Sequence, residues 1–169
     1  MASFFSPSSH TPRRVALALA ACAAAILLGA LAFQYLGDLA PCPLCVWQRY
    51  ALIAAMMLAL GSALAMDNTA RVMLFLAGVA FVTSAGIGGF QVGVEHGWWQ
   101  GSQACTGGQP TPATLDQLMA QVQGKPPARC DEVAWSLFGI SLAGYNFLIS
   151  LALAAVASVR AAIPSARND

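Results

Sequence analysis

The sequence predicts an all-α membrane protein, a four-transmembrane-helix bundle with two outer loops, in a single integral membrane domain over residues 1–169. Two observations carry this. Hydrophobic residues make up 58% and charged residues 9% of the 169, with a mean hydropathy of +0.65, where a soluble domain carries about 25% charge. The apolar residues are also gathered into four nearly uncharged runs of membrane-spanning length. A formal net charge of +1 excludes a nucleic-acid binder working through a basic field, and the apolar content excludes an acidic disordered chain.

Interruptions by charge and by Pro or Gly clusters place the spans at about 15–36, 46–66, 72–94 and 134–159. Each has roughly the twenty residues that a helix rising about 1.5 Å per residue needs to cross about 30 Å of hydrocarbon. Four spans leave both termini on one side. Arg13, Arg14, Arg71, Arg160 and Arg167 lie at the termini and the short second loop, against Lys125, Arg129 and Arg49 on the opposite side, five to three. The excess puts both termini in the cytoplasm and loops 37–45 and 95–133 outside. Leu19-Ala20-Ala21-Cys22 resembles a lipoprotein cleavage box and Ala30-Leu31-Ala32 a signal-peptidase site. Ala23 to Phe33 continues as apolar helix where a lipoprotein would turn polar, so Cys22 is expected to be a buried, inert residue of the first helix.

Of the five cysteines, the other four, Cys42, Cys45, Cys105 and Cys130, all fall in the two outer segments. The orientation made no use of cysteines, so their segregation to the compartment where disulfides persist is an independent check on it. Four cysteines allow three pairings. In Cys42-Pro43-Leu44-Cys45, the prolines at 41 and 43 disfavour helix before them, so the second helix is expected to start near Pro43 or Leu44. Cys45 then sits in a first turn, where unpaired N–H groups and the helix dipole favour a thiolate. Arg49, four residues on, shares its face and either supports that thiolate or snorkels to the headgroups. The four cysteines suit redox chemistry, structural disulfides or a zinc site. Twenty-four residues between Cys105 and Cys130 weigh against zinc, which uses short spacings within each half-site.

The second outer loop is broken by Gly107-Gly108, Pro110, Pro112, Gly124 and Pro126-Pro127. Leu115, Leu118, Met119 and Val122 recur at helical spacing and predict one short amphipathic helix on the membrane surface. If Cys105 and Cys130 pair, they close a 26-residue loop worth roughly 3.5 kcal/mol of chain entropy.

Between about Val15 and Val159 the chain resembles the disulfide-bond formation protein B (DsbB) family of bacterial inner-membrane enzymes. The carriers are Cys42-Pro43-Leu44-Cys45, Arg49, Glu95-His96, Cys105, and Cys130 with the following Trp135–Gly139 stretch. The resemblance implies a thiol:quinone oxidoreductase. Its loop disulfide Cys105–Cys130 would be attacked by a reduced periplasmic dithiol oxidase (DsbA-like), with the mixed disulfide at Cys105. Cys130 would then exchange with Cys42 and leave Cys45 facing ubiquinone or menaquinone, held by Arg49 with His96 near the same pocket; no metal is implied. Cys22 has no role in that pattern. Gly89-x-x-x-Gly93 is expected to pack inside the bundle, the alternative being a dimer face. Two rivals remain: a quinone reductase resembling vitamin K epoxide reductase, in which the order of the cysteine pairs is reversed, and a non-catalytic membrane scaffold braced by loop disulfides.

Overall fold

Proline, glycine and a few capping side chains decide where each helix starts and stops. A computed structural model of the chain describes residues 11–102, 105, 114–116, 119 and 128–163. Helix α1 runs Thr11–Tyr35, α2 Pro43–Leu64 and α3 Asp67–Glu95; strands β1 (Ser136–Leu137) and β2 (Ile140–Ser141) follow, then α4 (Leu142–Ala162). All four helices are long and apolar enough to cross a membrane. The predicted four-span bundle is therefore what the chain forms.

The boundaries differ from the hydropathy-based spans in instructive ways. α1 and α3 begin at Thr11 and Asp67, ahead of the expected Val15 and Val72. An uncharged run locates the hydrocarbon, whereas the hydrogen-bonded helix extends through the polar turn before it. α2 begins at Pro43, as the proline argument requires, and Cys42 is its N-cap: the sulfur accepts from the Cys45 N–H at 3.3 Å. The fourth span departs furthest. Residues 136–141 form a β-hairpin rather than a helical entry, with Ser136 opposite Ser141 and Leu137 opposite Ile140. At its tip Phe138 and Gly139 both have positive φ, 51° and 77°, the conformation a two-residue hairpin turn demands and a helix forbids. Ser141 ends the hairpin and caps α4, its hydroxyl accepting from the Gly144 N–H at 3.1 Å.

α3 is the central helix, packed along both α2 and α4, while α1 rests mainly on α2. The shared core is built of small residues, among them Ala55, Ala59, Ala77, Ala154 and Ala157, around Phe81. Small side chains let helices approach closely where lipid gives no hydrophobic drive between them. Gly89 meets the Phe147 ring of α4, in keeping with packing inside the bundle. At Gly93 a Cβ would collide with the Trp99 indole, which folds back over the end of α3 and donates from Nε1 to the Phe90 carbonyl at 2.9 Å.

Cys22 corrects an expectation. α1 buries the stripe Ala16, Leu19, Ala20 and Ala23, and Cys22 lies off it, exposed on the face that a bilayer would cover with lipid. In the outer loop Leu115 and Met119 are helical and exposed, while Leu118 and Val122 of the expected amphipathic helix lie outside the described residues.

Candidate functional site

The start of α2, the end of α3 and the start of α4 bring the site together. Pro43 fixes the first turn of α2, and this holds Cys42 and Cys45 on one side with their sulfurs 2.7 Å apart. The loop cysteines do not stand away from them. Cys42, Cys105 and Cys130 share one buried cluster with Val94, and Leu44 and Cys45 pack against it. The Cys130 N–H donates to the Cys105 carbonyl at 2.8 Å, and the Cys130 side chain is buried in one cluster with Cys105 and Cys42. The two pairs expected from sequence are thus one four-sulfur assembly.

Burial, and then the bond with Cys105, push the Cys130 thiol up to about 12, so it is held protonated. Hydrogen bonding with Cys45, followed by burial, raises the Cys42 thiol as well. Farther out, exposed Arg129 pairs with Asp131 at 2.6 Å beside Cys130.

Cys45 faces the other way as well. It lines a cavity of about 250 Å³ between α1, α2 and α4, together with Arg49, Phe33, Leu52 and Ile149. Arg49 donates from one nitrogen to Gln34 Oε1 and from another to the Ala30 carbonyl at 3.1 Å. The guanidinium is therefore fixed to α1 at the cavity wall instead of reaching for headgroups. An apolar chamber with one cation and one thiol suits a flat apolar ring carrying electronegative oxygens. His96 does not line it: it caps α3, is exposed, and its ring lies 5.4 Å from that of Trp98. Among the described residues no group of three or more His, Cys, Asp or Glu is arranged to hold a metal ion.

Sequence reasoning missed a polar ladder behind Cys45. Gln91 contacts the Cys45 sulfur at 3.6 Å, accepts from Gln48 Nε2 at 2.7 Å and donates to Glu95 Oε1 at 3.3 Å. Gln48 in turn accepts from Asn146 Nδ2 at 2.7 Å, which also donates to Ser84 Oγ at 3.0 Å, and Ser150 donates to Asn146 Oδ1 at 3.1 Å. The signal was present: Gln48, Ser84, Gln91, Asn146 and Ser150 are polar residues inside apolar runs, which stay in a membrane only when partnered. Glu95 Oε2 is buried without a partner among the described residues.

A bundle apolar enough to span a membrane, with four thiols gathered at one end beside an apolar chamber, defines a membrane thiol protein. The family model "Disulfide bond formation protein DsbB" matches residues 12–160. Proteins named Disulfide bond formation protein B are similar along most of their length. The one from Verminephrobacter eiseniae is 30% identical, covering 82% of this chain and 80% of its own. That from Polaromonas sp. is 31% identical, covering 88% and 89%, and that from Burkholderia pseudomallei 32% identical, covering 88% of each. No solved structure matches the chain. The chain belongs to the DsbB family: it is a multi-pass inner-membrane protein with an oxidoreductase role in disulfide bond formation.

Proposed function

We propose that the chain re-oxidises a periplasmic DsbA-like dithiol oxidase and passes the electrons to a membrane quinone. The observation that carries the proposal is the four-sulfur assembly, continuous from the loop pair to the wall of an apolar chamber. In this reading both termini are cytoplasmic and the cysteines periplasmic.

Each exchange breaks one S–S bond and forms another. A partner thiolate attacks Cys105 of a Cys105–Cys130 disulfide and releases Cys130. Cys130 attacks Cys42 of a Cys42–Cys45 disulfide and releases Cys45. The partner's second thiol then attacks its own sulfur in the mixed disulfide and frees Cys105. Cys105 attacks Cys130, restoring the loop disulfide and leaving Cys42 and Cys45 reduced. The partner has then lost two electrons and two protons, which reside on Cys42 and Cys45.

A quinone bound in the chamber supplies a two-electron, two-proton acceptor. Arg49 would hold its oxygen through a guanidinium already fixed by Gln34 and Ala30, and the apolar walls would exclude water. The positioning of Cys45 falls to Gln91 and to the first turn of α2. His96 lies outside the chamber lining, its ring against Trp98, so contact with the acceptor is assigned to Arg49.

The test replaces Cys130 with Ala. Cys105 is then a lone thiol that can attack the disulfide of the oxidised partner, and with no Cys130 to displace the partner from Cys105 the disulfide-linked adduct is expected to accumulate. A correctly inserted Cys130→Ala protein that forms no adduct favours a scaffold with structural disulfides. The purified wild-type protein should oxidise the dithiol partner beyond the equivalents its own disulfides supply only when quinone is added.

A further inference from the structure

The end of the bundle opposite the cysteines holds a second cavity, of about 300 Å³, framed by the start of α1, the end of α2, the start of α3 and the end of α4. Its volume is about ten times the ~30 Å³ share of one liquid water. Three of its lining residues are arginines supplied by three different helices: Arg13, Arg71 and Arg160. No Asp or Glu lines it among the described residues. The helix dipoles do not account for the arginines, because two helices start and two end here and their terminal charges oppose one another. Nearby backbone groups are partly committed: Ser62 Oγ donates to the Ala70 carbonyl at 2.8 Å, and Arg71 Nε to the Ala161 carbonyl at 3.2 Å. Arg160 Nε is buried with no hydrogen-bond partner among the described residues. A buried guanidinium N–H left unmatched beside two further cations costs free energy unless an anion meets it.

We propose that this cavity binds a phosphate group, that of an anionic phospholipid at the inner membrane surface or a free phosphate. Planar guanidinium forks match phosphate oxygens in pairs. The cavity also lies at the helix ends, the level of the headgroups, and basic pockets between helix ends bind anionic headgroups.

The experiment uses the full chain in zwitterionic detergent, with native mass spectrometry and thermal unfolding as readouts. Phosphatidylglycerol, phosphatidylcholine and inorganic phosphate are added separately. One phosphatidylglycerol per chain should be retained and should raise the melting temperature, phosphatidylcholine should do neither, and Arg160→Gln should weaken retention about tenfold. If inorganic phosphate gives the same stabilisation and loses it in Arg160→Gln, the ligand is the free anion; if only the lipid does, it is the headgroup. Should Arg160→Gln fail to fold, Arg13→Gln is read instead, since Arg13 is exposed at the start of α1. The proposal is overturned if phosphatidylglycerol and phosphate do no more than phosphatidylcholine, or if their effect is unchanged in the folded variant.

Discussion

Arg49 joins a structural task to the chemical one proposed for it. Its bonds to Gln34 and the Ala30 carbonyl tie α2 to α1, and the same guanidinium forms part of the chamber wall. Arg49→Ala should raise the quinone concentration for half-maximal turnover by about tenfold or more, the equivalent of a charge-assisted hydrogen bond of about 1.5–3 kcal/mol. Single-turnover oxidation of the partner by a pre-formed Cys105–Cys130 disulfide should survive, and Lys should rescue only in part. Unchanged quinone kinetics in a folded Arg49→Ala protein would return this residue to a purely structural role. Cys130 supplies a pH test. A thiol whose folded value is raised from 9.0 to about 12 contributes its stabilising burial in full below pH 9 and loses it as the pH climbs toward 12. In the reduced protein, Cys130 should therefore alkylate about tenfold or more slowly than an unshifted thiol at pH 8, and its seat should loosen only in that alkaline window. Mass-spectrometric mapping of the alkylated cysteine reads both. The sequence pointed to the thiols and to Arg49 by spacing alone. It could not point to Gln34, because a partner fifteen residues away on another helix is fixed only by how α1 leans on α2.

The helices show where a hydropathy profile stops being informative. The start of α2 was legible to within a residue, near Pro43 or Leu44, because prolines fix both the backbone and the absence of donors there. α4 was not, since Trp135, Leu137, Phe138 and Ile140 are as apolar as a span, and the profile ran through the hairpin without a break. The discriminating marks were Gly139 at φ 77° and the Ser141 cap, both local and both blind to average hydrophobicity. Ser141→Ala should destabilise the protein by about 1 kcal/mol in denaturant or thermal unfolding, the usual cost of an N-cap. Gly139→Val should cost more, because a β-branched residue resists positive φ. A Ser141→Ala protein of unchanged stability would mean that the hairpin, and not the cap, sets the start of α4.

For the whole molecule, the even number of spans and the arginine excess predict a side for each end. Labels at Met1 and Asp169 should both report the cytoplasm and one at Gln109 the outside, and termini on opposite sides would remove the proposed topology. The burial of Cys105 and Cys130 against Cys42 was not legible, because the intervening loop carries too few apolar residues to announce where it docks. The ladder of Gln91, Gln48, Asn146, Ser84 and Ser150 has a mechanical meaning at this scale. Its rungs cross from α3 to α2, from α2 to α4 and from α4 back to α3. A helix turned about its axis by one residue, about 100°, would leave several amides facing hydrocarbon, where no water replaces the lost bonds. The rungs act as a spline that blocks rotation, so the thiols at the end of the bundle sit on a shaft that keeps its alignment.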